Sequence, residues 1–402
     1  MDVGPLRRHR DYRLLFTGQA LSFFGSMVTY VAVPYQVYQL TGSSLAVGLL
    51  SLAALGPLLV TAFIGGAFAD AVDRRRMLQL AELALGLSTA VLLVNSLLDE
   101  PKVWVLFVIV PITAAFDGFQ RPSLDSMVPR LVTRDELPAA AALDSFRGEV
   151  GMIAGPAVGG VLIASIGLPW TYGIDVATFG FSMVALALMR AVPPPPDATA
   201  PSLRSIVEGV RYAWSRQELL GSYGVDMVAM FFGMPMALFP AFAKEFGGAE
   251  VLGLLYAAPS VGSLLATVTS GWVSRIRRHG LAIIWAAACW GVAITGFGLA
   301  PNLPLALLCL GAAGAADMIS GIFRGTLWNQ TIPDRLRGRL AGIEQVSYSS
   351  GPMLGNLESG IVASLAGVRA SIVSGGILCV VGVGLFALAL PAFRHYDARA
   401  RE

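Results

Sequence analysis

Gly66-Ala67-Phe68-Ala69-Asp70-Ala71-Val72-Asp73-Arg74-Arg75 is the stretch that decides the fold. A long apolar run leads into it, and another leaves from Met77. A glycine, an acid and a pair of arginines therefore mark the passage from one apolar helix to the next. Gly66 has no side chain, so a neighbouring helix can approach its backbone closely. Asp70 falls one turn later, where a carboxylate can face the positive N-terminal end of an adjacent helix. Arg74 and Arg75 place this turn on the cytoplasmic side of a bilayer.

The rest of the composition agrees with a membrane solvent. Of 402 residues, 55% are hydrophobic and only 13% charged, against about 25% charged in soluble domains. The basic N-terminus (Arg7, Arg8, Arg10, Arg13) is followed by an apolar run too long for a signal peptide core, with no small-residue cleavage pattern, so it reads as a first span. Cys289, Cys309 and Cys379 all lie in apolar stretches, and neither they nor His9, His279 and His395 have metal-ligand spacing. No phosphate-binding Gly-x-x-x-x-Gly-Lys-Ser/Thr loop is present, so ATP hydrolysis within this chain is not the energy source. Nothing in the sequence points to an enzyme, and no cofactor is expected.

A helix needs about 20 apolar residues to cross the hydrocarbon. Twelve stretches qualify: Tyr12–Leu40, Ala46–Ala69, Met77–Leu97, Val103–Leu124, Phe146–Ile166, Pro169–Met189, Leu219–Ala243, Leu252–Ser274, Leu281–Ala300, Leu303–Phe323, Leu340–Leu365 and Ala370–Leu390. With the N-terminus inside, Lys102, Lys244 and Arg369 alone among the 28 basic residues fall at outer ends. That asymmetry predicts two cytoplasmic termini.

Between the sixth and seventh spans, Pro193–Pro196 opens a long polar gap. A proline run makes an extended spacer. Behind it, Leu203, Ile206, Val207, Val210 and Trp214 recur at helical spacing, which predicts an amphipathic helix lying on the inner membrane surface. The expected organisation is an N-terminal six-helix bundle (1–190), a linker (191–217) and a C-terminal six-helix bundle (218–402). The halves repeat: Gly155-Pro156-Ala157-Val158-Gly159 recurs as Gly351-Pro352-Met353-Leu354-Gly355, and Val128-Pro129 as Ile332-Pro333. Such offsets near 200 predict two pseudo-symmetric bundles, in an all-α integral membrane protein.

Gly66, Asp70, Arg74 and Arg75 resemble the G-x-x-x-D-R-x-G-R-R/K signature of the major facilitator superfamily, with Ala71 replacing its basic residue and Asp73 its glycine. Gly151, Gly155, Pro156, Gly159 and Gly160 are similar to the antiporter motif of its drug exporters, G-x-x-x-G-P-x-x-G-G. Tight packing on a neighbouring span is the alternative reading of those glycines. Thr41–Ser44, Pro129–Val132, Ile174-Asp175, Leu255–Ala258 and Arg337-Gly338-Arg339 extend the resemblance to the enterobactin and macrolide exporter branch. The resemblance implies an inner-membrane secondary transporter that exports a small amphipathic molecule, siderophore or macrolide-like, against a proton gradient. Its expected partners are that cargo and the lipid bilayer, without nucleic acid, and the chain is expected to act as a monomer. A proton-coupled importer and a non-transporting sensor on the same fold are the two alternatives.

The same resemblance assigns the first, fourth, seventh and tenth spans to the cavity. Asp117, Asp226 and Asp317 lie on three of them, and ionisable residues within spans are costly enough to be functional candidates. Asp226 has no basic residue nearby in sequence, so it is the leading proton carrier, whereas Asp117 has Arg121 one turn on and Asp317 has Arg324 two turns on. Glu82, Glu149 and Glu344 lie near inner helix ends, where salt bridging is expected. Asp175 is expected to hydrogen-bond a neighbouring span. Phe23, Phe24, Tyr30, Tyr35, Phe231 and Phe232 either wall an apolar cargo site or serve lipid contact or packing. Asp70 is expected to latch the cytoplasmic gate by facing the start of the eleventh span.

Overall fold

The computed structural model describes residues 2–71, 73–190 and 211–397, without the side chains of 62–71, 121, 122, 125, 126, 334–339 and 341–346. Helices dominate, and no strand occurs among the described residues. Ten of the described helices are long and apolar enough to cross a membrane. One of them, Leu137–Ala187, is two spans joined at Gly167, whose φ of 81° only glycine adopts readily. Asp334–Ala366 supplies the eleventh span and meets Val368–Ala389 at Gly367, with φ 93°. The two glycine joints lie at matching places in the two halves. The twelve expected spans are all present.

Two of them differ from expectation. The seventh was read as continuous, but it runs as Gln217–Phe232, breaks, and resumes as a 3-10 turn at Met236–Leu238 and a helix at Phe239–Lys244. Pro235 and Pro240 lack the N–H that a continuous helix requires. Non-helical backbone at membrane depth must find partners inside the protein. Trp290 Nε1 donates to the Gly233 carbonyl at 3.1 Å, and the Ala237 N–H donates to Asn356 Oδ1 at 3.0 Å. The eighth span, Ala249–Val268, ends before its expected limit and passes into a 3-10 turn at Ser270–Arg275.

The chain divides into two compact units. Unit 1 comprises Met1–Gly42, Ala53–Pro201 and Gly247–Ala257; unit 2 comprises Ser43–Leu52, Ser202–Phe246 and Ala258–Glu402. Each unit therefore takes a short helical segment from the other half of the sequence. Glycine contacts hold both segments. In unit 1, a Cβ on Gly160 would lie 2.8 Å from the Gly253 backbone. In unit 2, a Cβ on Gly48 would lie 3.0 Å from the Leu357 Cα. Leu203, Ile206, Val207 and Val210 of the linker, with Pro193–Pro196, lie outside the described residues; Trp214 is exposed.

At one end of unit 1 the first residues are tied down. Glu136 accepts hydrogen bonds from Arg8 Nη1 at 2.9 Å and Thr133 Oγ1 at 2.9 Å, and pairs with His9 Nε2 at 2.6 Å. These partners, His9 first, hold its carboxyl down to about 2. The anchor is thus complete above the usual carboxylate range and is lost as pH falls through about 2. Glu136→Gln should release the segment at neutral pH, seen as faster tryptic cleavage after Arg8 and Arg10. Separately, Gly253→Leu should cost about 1–3 kcal/mol by overpacking, lowering the thermal midpoint in detergent. Gly56→Leu, where a Cβ meets nothing within 4 Å, should leave that midpoint in place.

Candidate functional site

In unit 2 the tenth span, Leu303–Thr331, carries Asp317, Arg324 and Trp328. Spacings of seven and four place all three on one helical face. Arg324 is 2% exposed, and its guanidinium forms an ion pair through Nη1 with Asp226, itself 5% exposed on the seventh span. Its Nη2 lies 3.5 Å from Asp317 Oδ1. The reading of Asp226 as unpaired is therefore corrected: its cation comes from another span, where sequence distance hides it. Asp317, the expected partner, has the longer contact and a side chain 41% exposed. A buried charge needs such a partner, because desolvation costs several kcal/mol per ion.

Aromatic rings back this pair. The Arg324 guanidinium lies over the Tyr348 ring at 5.3 Å. Tyr348 meets Trp328 edge-on at 6.2 Å, and Trp328 stacks on Tyr223 at 5.3 Å. Of the aromatics picked out from sequence, Phe231 and Phe232 pack edge to face on each other. Tyr223, Trp328 and Tyr348 were missed, although Trp328 sits one turn beyond Arg324.

Unit 1 holds carboxyls of another kind. Glu82 is fully buried on the third span, Arg74–Ser96. It accepts hydrogen bonds from Gln19 Nε2 at 2.8 Å, Ser22 Oγ at 3.0 Å and Gln120 Nε2 at 2.6 Å. The salt-bridge expectation for Glu82 is corrected: its partners among the described residues are neutral groups of the first and fourth spans. Asp175, on the sixth, accepts from Thr29 Oγ1 at 2.5 Å and Thr89 Oγ1 at 3.3 Å, the expected bond to neighbouring spans. Asp117 is exposed on the fourth span; the side chain of Arg121 lies outside the described residues, as does that of Glu344.

The loop motif is described in part. The surroundings of Gly66 and the side chain of Asp70, and with it the proposed latch, lie outside the described residues. Asp73 N-caps the third span, its Oδ1 accepting from the Arg75 N–H at 2.9 Å and the Arg76 N–H at 3.4 Å. The acid that replaces the family's glycine thus satisfies two free helix-start donors. Arg75 donates to the Ala187 carbonyl at 2.9 Å, and Arg74 is buried. In the fifth span, a Cβ on Gly151 or Gly155 would collide with Phe23 or Met27 of the first span. One on Gly159 would lie 3.1 Å from the Val28 carbonyl, while Gly160 faces Gly253 across from Pro156. These glycines seat the fifth span between two others.

A family model described as transmembrane secretion effectors, MFS_3, matches residues 2–402. The chain belongs to this family, within the major facilitator superfamily. Among its relatives, the enterobactin exporter EntS of Escherichia coli (strain K12) is 29% identical over 404 residues, covering 98% of this chain and 95% of that protein. EntS of Shigella boydii serotype 18 (strain CDC 3083-94 / BS512) matches to the same extent. The fold agrees with a POT family transporter crystallised with 5-aminolevulinic acid, at TM-score 0.75 and 12% identity over 96% of this chain and 97% of that one. It also agrees with a bacterial homologue of the human lysosomal transporter Spinster, at TM-score 0.73 and 15% identity over 98% of both chains.

For this secretion effector the Asp226–Arg324 pair is testable by a double-mutant cycle. Arg324→Met should strip Asp226 of its cation and destabilise the protein by about 3–5 kcal/mol. Asp226→Asn combined with Arg324→Met should recover much of that loss. Thermal unfolding of the four proteins in detergent measures the coupling, and strictly additive losses would dismiss it.

Proposed function

We propose that the protein exports a small amphipathic molecule of the siderophore class from the cytoplasm, driven by protons moving inward. The family and the EntS relatives support the cargo class, and the Asp226–Arg324–Asp317 site supports the coupling. In this reading both termini are cytoplasmic, which the distribution of basic residues supports, and the membrane is the inner one.

The observation that carries the coupling is a buried cation shared by two unequal acids. Asp226 is enclosed with Arg324, whereas Asp317 is partly open. A proton on Asp226 removes its charge and frees the guanidinium for Asp317 or for an acceptor on the cargo. Loss of that proton restores the pair. The Asp226 carboxylate and an anionic group of the cargo then compete for one arginine, so protonation and cargo binding are coupled through it. Glycines of the fifth span provide the close-packed surface on which the cycle would move, and the Asp70 latch belongs to the same proposal.

Proteoliposomes with an imposed pH gradient test the reading. Wild-type protein should drive enterobactin out of the compartment that corresponds to the cytoplasm when the opposite side is acidic. Asp226→Asn should abolish this gradient-driven movement while leaving enterobactin binding measurable. Undiminished efflux by Asp226→Asn would remove Asp226 from the mechanism. Accumulation in the opposite direction would make the protein an importer.

A further inference from the structure

Unit 2 contains a cavity of about 640 Å³ that the ion-pair site does not use. Ligand pockets span roughly 300–1,000 Å³ and combine apolar walls with a few polar groups that fix orientation. Along the seventh span its wall runs from Leu220 to Met227, about 10 Å at ~1.5 Å per residue. The last turns of the twelfth span form the opposite wall, and Trp214, 73% exposed, stands at the rim. All its lining residues belong to unit 2, and none is charged.

Three features narrow what it holds. First, the walls are aromatic and held in place. Tyr223 is stacked from behind on the buried Trp328. Phe386 packs closely on the seventh span because Gly224 lacks the Cβ that would strike its ring. Second, Ser347 lines the cavity, and its hydroxyl is buried, the residue being 8% exposed, with no hydrogen-bond partner among the described residues. A buried hydroxyl without a partner loses free energy that a ligand acceptor can restore. Third, the lining among the described residues holds no carboxylate that would favour a cation. An acyl chain would need only apolar walls. Fixed ring faces beside an unsatisfied donor suit a flat ring that carries an acceptor.

We propose that this cavity binds cargo through a planar aromatic group bearing a hydrogen-bond acceptor, with the ring against Tyr223 and Phe386 and the acceptor on Ser347. Only the word cargo rests on the exporter reading; the site itself does not.

The probe is 2-naphthoate, with decanoate as its aliphatic control, titrated calorimetrically into the full-length protein in phosphatidylcholine nanodiscs. Naphthoate should bind saturably at one site, and decanoate at least tenfold more weakly. Ala389→Trp, at an exposed position of the lining, should weaken naphthoate at least tenfold by filling the cavity. Ser347→Ala, which removes one oxygen, should weaken it about two- to tenfold and leave decanoate unchanged. Equal naphthoate affinity in wild type and Ala389→Trp would overturn the site. So would decanoate binding as tightly as naphthoate, which would mark a groove for lipid chains. Failure of wild-type efflux in proteoliposomes with naphthoate binding intact would instead reject the exporter reading and leave the site standing.

Discussion

Two helices in hydrocarbon gain nothing by hiding apolar side chains from each other, because the lipid is as apolar as leucine. Close backbone contact and internal pairing of polar groups must hold the spans together. Both devices appear wherever this structure departs from a plain apolar helix. Gly160 and Gly253 bring backbones together in unit 1, and Gly355 does so beneath the Phe231 carbonyl in unit 2. The broken seventh span survives at membrane depth because Trp290 and Asn356 take up the groups that its prolines free. Polar side chains follow the same rule: Glu82, Asp175 and Asp226 each meet donors from other spans.

These constraints explain what was legible in the sequence. Hydropathy and the basic residues outline twelve spans because each span satisfies its own backbone and so carries its signal locally. The glycine motif was legible because the spacing of its glycines marks bare helix faces, while what packs on them, Phe23, Met27 and Gly253, is not local. Contacts between spans were not. Asp226 looked unpaired because Arg324 belongs to another helix, and Glu82 looked like a salt-bridging residue because Gln19 and Gln120 are neutral and distant in sequence. Some signals were present and overlooked. Asp317, Arg324 and Trp328 already share a helical face by spacing alone, and Pro235 and Pro240 already forbid a continuous seventh helix. Asp73 read as a lost glycine, yet an aspartate immediately before a helix is the ordinary N-cap.

The two halves repeat in backbone but not in charge, and this is where function departs from fold. Aligning Val128-Pro129 with Ile332-Pro333 places Gln120 opposite Arg324 in the repeat. Each donates to a carboxyl on a neighbouring span of its own unit: Gln120 to Glu82 and Arg324 to Asp226. The donor position is shared but the acceptor span is not, being the third in one half and the seventh, the counterpart of the first, in the other; the donor is neutral in one half and cationic in the other. A neutral amide stabilises a carboxylate through a dipole and brings no net charge, so it cannot be released as a cation when that carboxyl takes up a proton. A guanidinium keeps its charge at any accessible pH. Once its carboxylate is neutralised, it must find another anion or remain buried at a cost of several kcal/mol. Only the C-terminal unit, among the described residues, pairs a buried cation with a second, more exposed acid to receive it. Duplication supplied two equivalent donor positions, and a cation at one of them made a place where a proton on one acid frees a charge for another anion.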